Sequence, residues 1–562
     1  MSDKIPWSDY PRPQLKRDKY HILNGEWMLN NDRIIVPYPP QSKLSEYKGT
    51  ISENLEYKCE FTVPQDFVLP KVKLHFGAVD QICEVWLNNE YLGDNEGGYL
   101  PFSFDITSIV KYDEENSLVV KAIDDLSMEY PYGKQSKNPG GMWYTPVSGI
   151  WQTVWLENLP DKYIENIRLT PDMTGVNIEL ICDNNEFTAI VRLDNGRTFT
   201  RNFKGTEGRI ELKGAKDDEG NDIEPVLWYV NNPYLYDMTI ISGDDKIDTY
   251  FGLRKIEIKE IDYVPRVRLN GEPIFMHGVL DQGYFMDGIF LPESSKAYEN
   301  DVLYMKELGF NTLRKHIKIE PEQFYYYCDK NGMLVMQDMV NSGKYSFIKD
   351  TALPTIGFKK RNDMKKSAKE RKRKAFFEKY MKKTITHLHN HPCVIAYTIF
   401  NEGWGQFDGD RMYEIAKALD STRLYDTASG WFAGKKSDFD SEHVYFRNKK
   451  LKPKYRPMLL SECGGFTYKV EGHLFKSDKS YGYGNCKDER ELTVRITDMY
   501  KAMVLPVIRN GLCGCIYTQL SDVEEEINGL YTYDRQVCKV EKDEMRKLAG
   551  LIEQWLKYRG GK

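Results

Sequence analysis

The sequence predicts a multidomain protein with a β jelly-roll sandwich, an immunoglobulin-like β-sandwich and a C-terminal (β/α)8 TIM barrel. Two observations lead to this prediction. With 562 residues, the chain is too long for a single hydrophobic core. Its pattern also changes once, from short alternating strands to strands that alternate with helices. We therefore expect the jelly roll over residues 1–158, the second sandwich over 159–258 and the barrel over 259–562.

Residues 1–258 contain short stretches in which apolar and polar residues alternate, as in sheets with one buried face. Turn-forming Asn88-Asn89 and Gly97-Gly98 lie between some of these stretches. The predicted jelly-roll strands include "LEYKCEFTV", "KVKLHFGAV", "ICEVWLNNEYLG", "NSLVVKAI" and "IWQTVWLENL". Those of the second sandwich include "NIRLTPDM", "GVNIELICD", "FTAIVRLDN", "YLYDMTIIS" and "IDTYFGLRKIEI".

From about residue 259, apolar strands alternate with helices, which is typical of a (β/α)8 barrel. Helical stretches such as "SSKAYENDVLYMKELG" separate the strands, and the amphipathic "KDEMRKLAGLIEQWLKY" follows the last one. The eight predicted strands are "PIFMHGVL", "NTLRKHI", "MLVMQDMV", "VIAYTIFNE", "LYDTASGW", "EHVYF", "RPMLLSECGG" and "LCGCIYTQLSD". In this fold the active site lies at the C-terminal ends of the strands.

Two of the predicted barrel strands end in a glutamate. The fourth, Val394–Phe400, runs into Asn401-Glu402, and the seventh ends in Ser461-Glu462. An isolated Asn-Glu-Gly is usually a surface turn, and strand-end glutamates can also pair with arginines at the barrel rim. Two carboxylates that face each other across a barrel mouth are, however, what glycoside hydrolysis requires. One carboxyl gives a proton to the leaving oxygen, and the other is ionised and attacks the anomeric carbon or activates water.

Several motifs in the same order resemble glycoside hydrolase family 2, which includes β-galactosidases, β-glucuronidases and β-mannosidases. The resemblance covers essentially the whole chain and is carried by "GMWYTPVSGIWQTVWLE", "NPYLYDMTI", "FGLRKIEI", "HNHPCVIAYTIFNEGWG", "LLSECGGF" and "TQLSDVEEEINGLYTYDR". It implies that Glu402 is the acid/base and Glu462 the nucleophile of a retaining double displacement. Asn401 would then donate its amide to the sugar 2-hydroxyl.

The resemblance also implies substrate contacts from the first three strand ends. Asp281 is similar to the family's ligand for remote hydroxyls, and a simple turn or cap is the competing interpretation. Arg314 and His316 match an Arg…His pattern on strand two, and Arg314 is the stronger candidate for orienting a carboxylate. Asp338 could hold a hydroxyl or pair with Arg314.

Four aromatic or histidine side chains near other strand ends are further candidates. Trp404 and Trp431 could stack on the C–H faces of a sugar or pack in the core. Tyr445 is placed to hydrogen-bond Glu462 and keep it ionised, and buried packing is the alternative. His443 could be a structural residue or a rim contact.

Missing motifs restrict the substrate. We assign no segment between Phe466 and Ile508 to the Asn-x-Lys element that β-glucuronidases use for the sugar carboxylate. The Glu…His pair that holds magnesium in large β-galactosidases is also missing from "QDMVNSGKY", so no metal or cofactor is expected. Tyr517 and Gln519 stand where the family has a strand-eight tryptophan. A β-galactoside is the first choice of substrate; a β-glucuronide, a β-mannoside, an arabinoside or a catalytically inactive carbohydrate-binding protein are the alternatives.

The resemblance implies a small-molecule glycoside or oligosaccharide as partner, and the bulk composition points to no nucleic-acid or membrane partner. The net charge is −6, so the basic run Lys359–Lys383 is better explained as a solvated helix face than as a nucleic-acid site. No signal segment and no apolar stretch of about 20 residues is visible, and the ten cysteines show no zinc-site spacing. We expect a cytoplasmic protein with no membrane partner; a homo-oligomer is compatible with these features.

Overall fold

The computed structural model describes residues 5–65, 67, 69–194, 196–355, 367–445, 448–476 and 479–557. The N-terminal part of the chain forms a β-sandwich, here called the first sandwich. A four-stranded sheet in the order β1-β12-β5-β9 packs against a six-stranded sheet in the order β3-β2-β4-β10-β7-β8, and β6 pairs with β11. Its strands are β1 (Tyr20–Ile22), β2 (Gly25–Leu29), β3 (Asp32–Val36), β4 (Asn54–Thr62), β5 (Lys71–Phe76), β6 (Val79–Asp80), β7 (Ile82–Leu87), β8 (Glu90–Glu96), β9 (Phe102–Asp105), β10 (Glu115–Ile123), β11 (Gly149–Ile150) and β12 (Val154–Leu159).

A second, smaller sandwich follows, with sheets in the orders β13-β14-β17 and β16-β15-β18-β19. Its alternating strands bury Ile178, Val191 and Ile240 between the two sheets. The strands are β13 (Ile164–Pro171), β14 (Gly175–Cys182), β15 (Glu186–Arg192), β16 (Thr198–Lys204), β17 (Glu207–Glu211), β18 (Tyr236–Ser242) and β19 (Asp245–Phe251).

The predicted strand "IDTYFGLRKIEI" is divided in the structure. It breaks after Phe251, and its second part joins a three-stranded sheet made of β20 (Ile256–Ile261), β21 (Val264–Leu269) and β22 (Glu272–Pro273). Ile256 packs in the same core as the barrel strands. The break has a physical cause, because Arg254 Nε donates to Pro392 O at 2.9 Å and ties this connection to the barrel. The exact domain boundaries at 158 and 258 stay predictions.

The C-terminal part is a nearly closed barrel of eight parallel strands. Its order is β27-β26-β25-β24-β23-β32-β29-β28, so consecutive barrel strands are hydrogen-bonded neighbours except β27 and β28, which form the two edges where the barrel is not closed. All eight predicted barrel strands are present. They are β23 (Met276–Asp281), β24 (Thr312–Lys315), β25 (Leu334–Asp338), β26 (Val394–Asn401), β27 (Leu424–Ser429), β28 (Asp440–Val444), β29 (Met458–Gly464) and β32 (Leu512–Thr518), with β30 (Thr467–Tyr468) and β31 (Asn485–Cys486) outside the barrel.

Helices cover the outside of the barrel. Those in the described residues are α1 (Lys296–Glu307), α2 (Glu322–Asn331), α3 (Leu353–Thr355), α4 (Ala368–His387), α5 (Gly409–Leu419), α6 (Glu489–Met499), α7 (Leu505–Ile508) and α8 (Lys542–Lys557). A 3₁₀ turn covers Lys43–Ser45, and π-helical turns cover Phe347–Ala352 and Tyr500–Val504. None of these helices has the length and apolar character that a membrane crossing needs.

The basic run predicted as a solvated helix face falls partly outside the described residues, at 359–366. From Ala368 onward it forms α4, and most of its basic side chains are exposed. Arg373 is the exception: it is buried and donates to the backbone oxygen of Gly405 at 3.1 Å.

The first sandwich packs directly against the barrel mouth. The backbone N–H of Tyr99 donates to the hydroxyl of Tyr380 on α4 at 2.8 Å. Aromatic side chains from both units, including Tyr132, Trp151 and Trp404, share one buried cluster. This contact brings a loop of the first sandwich to the C-terminal ends of the barrel strands.

Candidate active site

The two predicted catalytic glutamates lie together at the barrel mouth. Glu402 directly follows β26, and its backbone N–H donates to Ser429 O at the end of β27 at 3.1 Å. Glu462 is part of β29. One oxygen of each carboxylate and one ring nitrogen of His443 all lie within 4.8 Å of one another.

Glu462 is surrounded by groups that favour its ionised form. Arg314 Nη1 donates to its Oε1 at 3.0 Å, and the Tyr445 hydroxyl donates to its Oε2 at 2.6 Å. Burial acts to raise the pKa of Glu462. The charges of His443, Arg314 and His316 and the Tyr445 hydrogen bond outweigh burial and lower the pKa to about 2. Glu462 is therefore an anion throughout the neutral range.

Arg314 on β24 organises this side of the pocket. It is fully buried, and its guanidinium donates to Asp338 at 3.0 Å, to Ser461 O at 2.9 Å and to Asn401 Oδ1 at 2.8 Å in addition to Glu462. Since a guanidinium has only donors, the Asn401 atom that faces it must be the amide oxygen. The amide nitrogen of Asn401 is thus left to donate to a ligand.

Asp338 pairs with two cationic or donor groups. Besides its contact with Arg314, Asp338 has its Oδ2 atom 2.7 Å from His316 Nδ1, and the side chains of Asp338 and His316 are both buried. Burial acts to raise the pKa of Asp338, but Arg314 and His316 together lower it. Burial lowers the pKa of His316. Of the two predicted roles for Asp338, the structure places it in the pair with Arg314.

His443 lies between the two glutamates. Its Nδ1 is 2.8 Å from Glu402 Oε1, and its Nε2 is 2.9 Å from Ser429 Oγ. The Ser429 hydroxyl donates to Ser461 Oγ at 3.0 Å, so the Ser429 oxygen is left to accept from His443 Nε2–H. His443 thus links the Glu402 carboxyl to the Ser429 hydroxyl.

Tyr445 follows β28 and touches both catalytic candidates. Its hydroxyl is 2.6 Å from Glu462 Oε2 and 3.4 Å from Glu402 Oε1. Its ring stacks on Tyr483, with the centroids 4.5 Å apart. Burial, together with the charges of both glutamates, raises the pKa of Tyr445, so the hydroxyl remains a donor.

Three of the predicted site residues have their polar groups engaged elsewhere. Asp281 accepts the Gly283 N–H at 2.8 Å and pairs with Lys315 at 2.6 Å. The Trp404 indole is 2% exposed and donates to Gly343 O at 2.7 Å. The Trp431 indole donates to Asp350 O at 2.7 Å, and its ring packs on His443 at 5.4 Å. The roles of these three in sugar binding stay predictions.

Sequence reasoning missed part of the pocket wall. Thr351 Oγ1 is 3.5 Å from Glu402 Oε2, and Tyr345 lies 2.5 Å from the Thr351 hydroxyl. Trp143, from the first sandwich, packs against Tyr345 at 5.2 Å and Trp404 at 5.1 Å. The only available signal was Trp143 inside the family-like motif "GMWYTPVSGIW", because these loops have no periodic pattern.

The same three groups at the centre of the pocket could hold a divalent ion. Glu402, His443 and Glu462 each offer one ligand atom within 4.8 Å of the others. Carboxylate and imidazole donors suit zinc. These donors are also the groups that glycoside hydrolysis uses, so an ion here would compete with substrate.

Two family models match the chain. The "Glycosyl hydrolases family 2, sugar binding domain" matches residues 24–160, and the "Glycosyl hydrolases family 2, TIM barrel domain" matches residues 265–452. These matches agree with the first sandwich and with most of the barrel strands.

Individual relatives and solved structures are similar to the chain over large parts. It is 25% identical over 467 residues to a β-galactosidase of Thermoanaerobacter pseudethanolicus, covering 76% of the chain and 58% of the relative. It is 22% identical over 446 residues to a β-galactosidase of Klebsiella pneumoniae, covering 71% and 40%. The chain thus spans about half the length of these curated relatives.

The fold agrees with a solved β-D-glucuronidase of Dictyoglomus thermophilum, with a TM-score of 0.74, 19% identity and coverage of 98% of this chain and 99% of that one. The order of the motifs, the barrel with its two strand-end glutamates and the two family models lead to one conclusion. The chain belongs to family 2 of the glycosyl hydrolases.

Proposed function

We propose that the chain is a retaining exo-β-glycosidase that removes the terminal sugar from small β-glycosides or oligosaccharides, with a β-galactoside as the first choice. The carrying observation is that an oxygen of Glu402 and an oxygen of Glu462 lie within 4.8 Å of each other. Retaining enzymes place their carboxyls about 5–5.5 Å apart, whereas inverting enzymes need about 6.5–9.5 Å to admit a water. The short spacing supports a double displacement.

In the first step, a Glu462 oxygen attacks the anomeric carbon while Glu402 gives its proton to the glycosidic oxygen. The bond between that carbon and oxygen breaks, and the aglycone leaves as an alcohol. In the second step, Glu402 takes a proton from water, the water oxygen bonds to the anomeric carbon, and Glu462 departs as a carboxylate. Two inversions give net retention.

The surroundings of the two glutamates support different roles for them. The low pKa of Glu462, about 2, keeps the attacking group ionised. Glu402 has no arginine or lysine within 4.0 Å among the described residues, and its Oε1 lies 2.8 Å from His443 Nδ1. Environments that separate the protonation states of two carboxyls mark the acid and the nucleophile. Asn401, with its amide nitrogen left to donate, is placed to bind the 2-hydroxyl.

Two considerations support a neutral sugar. Asn485-Cys486-Lys487 has the Asn-x-Lys spacing, but Asn485 and Lys487 are exposed, and Asn485 Oδ1 accepts from the Thr467 hydroxyl at 2.7 Å, so we do not assign this segment to a sugar carboxylate. The curated relatives named above are β-galactosidases. A β-glucuronide is the main alternative, since the solved structure named above is a β-glucuronidase, and a β-mannoside or an arabinoside would use the same groups. A carbohydrate-binding protein without catalysis would leave the arrangement around Glu462 without a purpose.

The experiment that tests the proposal is a panel of nitrophenyl glycosides followed by variants. Wild-type protein should hydrolyse one β-glycoside of the panel, and Glu462→Gln should reduce turnover by several orders of magnitude because an amide cannot attack. Glu414→Gln, at an exposed position of α5, is the matched control and should keep full activity. Sugar binding without hydrolysis of any glycoside would contradict catalysis, and a Glu462→Gln rate above about a hundredth of wild type would contradict the nucleophile assignment.

Azide separates the two roles. With a dinitrophenyl glycoside, Glu462→Ala plus azide should yield the α-glycosyl azide, because azide replaces the nucleophile and only one inversion occurs. Glu402→Ala plus azide should yield the β-glycosyl azide, because azide attacks the covalent intermediate in place of water. The opposite pair of products would exchange the two assignments.

We also propose a reducing, cytoplasmic setting. Its support is that the ten cysteines are free thiols and that Cys463 and Cys515 stay unbonded with their sulfurs 3.3 Å apart. The homo-oligomer stays a prediction.

A further inference from the structure

A loop of the first sandwich reaches the barrel mouth next to His316. The backbone N–H groups of Tyr132 and Gly133 donate to Asn341 O at 3.0 and 3.4 Å. A Cβ added at Gly133 would lie 2.8 Å from Ile317 O, and its φ is +67°, so this close approach requires glycine. The next residue, Lys134, is thereby held against the end of strand two.

The ammonium group of Lys134 lies beside Trp143, which packs in the pocket wall. The side chain is half-buried, and its Nζ lies 5.5 Å from the centroid of the Trp143 ring. Its positive charge contributes, after burial, to lowering the pKa of His316. Within the part of the chain that the structure describes, no side chain or backbone oxygen accepts a hydrogen bond from Lys134 Nζ. The ammonium is thus available to a ligand.

Glu526 is joined to the Lys134 loop through Tyr144, whose N–H donates to Lys134 O at 3.1 Å and whose hydroxyl donates to Glu526. It follows β32, is 3% exposed, and accepts hydrogen bonds from the Tyr144 hydroxyl and, at 2.9 Å, from Asn528 Nδ2. The Tyr481 N–H donates to Glu525 O at 2.7 Å, so the segment of Glu526 runs beside Tyr481.

Nearby charged side chains affect the pKa values of Glu526 and Tyr483. Burial raises the pKa of Glu526, the charge of Lys134 lowers it and that of Glu462 raises it further. The pKa of Tyr483 is raised by burial and also by the charges of Glu526 and Glu402. Glu526 is thus within electrostatic range of Lys134 and of Glu462, and Tyr483 is within range of both Glu526 and Glu402.

We propose that Lys134 and Glu526 bind hydroxyl groups of the terminal sugar on the part of the ring remote from the bond that is cleaved, and so select a neutral sugar. This inference rests on the proposed glycosidase function. Asn401, Glu402 and Glu462 would surround the anomeric carbon and the 2-hydroxyl, which leaves the remote ring atoms to Lys134 and Glu526.

The chemistry of the pair fits hydroxyls better than a carboxylate. An ammonium donates to a hydroxyl oxygen and a carboxylate accepts from a hydroxyl hydrogen, so together they satisfy a diol. A uronate carboxylate attracted by Lys134 would be repelled by Glu526. The half-buried Trp143 offers an apolar face beside them for the sugar C–H groups.

The test compares wild type, Lys134→Met and Lys137→Met on the nitrophenyl glycoside that wild type cleaves and on its 4-deoxy and 6-deoxy analogues. Lys134→Met should lower kcat/KM on the parent glycoside by about 10- to 100-fold, as expected for a lost hydrogen bond to a charged group. On the deoxy analogue that lacks the hydroxyl bound by Lys134, Lys134→Met should lower kcat/KM by about threefold or less, because wild type cannot make that hydrogen bond to the analogue either. Lys137, on the same loop but 58% exposed and paired with Glu53, is the matched control and should behave as wild type.

The outcomes separate this inference from the proposed function. If wild type is active but Lys134→Met loses the same factor on all three substrates, or none, the hydroxyl contact is refuted. A selective loss on a glucuronide, with neutral glycosides unaffected, would overturn the neutral-sugar assignment. Wild type that hydrolyses no glycoside refutes the proposed function itself. Thermal unfolding checks that each variant folds. If Lys134→Met does not fold, Glu526→Gln is compared with wild type on the same three substrates.

Discussion

Replacing Tyr445 by Phe should uncouple the two chemical steps. The lost hydroxyl donates at 2.6 Å to Glu462, a carboxylate that is negative in the free enzyme and again as it leaves the covalent intermediate. In the covalent intermediate Glu462 is a neutral ester, so the hydrogen bond from Tyr445 stabilises it less there. The second step, in which the carboxylate departs, should therefore slow most.

The magnitude follows from the contact. A hydrogen bond to a charged group contributes about 1.5–3 kcal/mol, which corresponds to a slower second step by about 10- to 150-fold. The same loss should raise the Glu462 pKa from about 2 by about one to two units. Because catalysis needs ionised Glu462, the acid limb of the kcat/KM profile should move to higher pH.

The assay is rapid mixing with a dinitrophenyl glycoside. The variant should show a burst of dinitrophenol equal to the enzyme concentration, followed by a slow steady state in which kcat and KM fall together. A variant with unchanged kcat, or with a slow first step and no burst, would refute the assignment of Tyr445 to the departing Glu462. Tyr468→Phe, outside the pocket contacts described, is the matched control and should keep wild-type kinetics.

Three further predictions concern the same pocket. Ser429→Ala removes the hydroxyl that holds His443 Nε2 at 2.9 Å, so His443 is oriented less well towards Glu402 and kcat should fall by about fivefold; an unchanged kcat would contradict this positioning role. Zn²⁺ should inhibit competitively through Glu402, His443 and Glu462, and EDTA should restore the rate; inhibition that persists in His443→Ala would exclude this site. Arg314→Met leaves Asp338 and Glu462 buried without their cation and should cost about 3–5 kcal/mol of unfolding free energy, measured in urea.

Strand periodicity made the barrel and its two glutamates predictable from the sequence. Buried parallel strands read as apolar runs, so Val394–Phe400 and Met458–Leu460 stand out from the helices between them. Once eight such runs are aligned, the residue that follows each run must lie at the barrel mouth. Glu402 and Glu462 could therefore be brought together before any coordinates were known.

The contacts between loops were not predictable in this way. The sequence could not show that His443 lies between both glutamates, because this depends on how far β27 and β28 approach each other. Nor could the sequence show that Lys315 pairs with the Asp281 carboxylate, since Lys315 ends strand two and Lys318 follows it closely. The break after Phe251 was hidden because the residues on both sides have strand character and only the tertiary contact of Arg254 separates them.

The hydrogen bond between Tyr144 and Glu526 joins residues 382 positions apart in the chain. Ribosomes add about 5–20 residues per second, so about 20 to 80 seconds pass between the synthesis of these two residues. During that time the first sandwich can fold, but its loop has no opposite wall to meet. The contact between the first sandwich and the segment after β32 is therefore completed only when nearly all of the polypeptide has been made, and a transcript cut short before Glu526 yields a chain that lacks it.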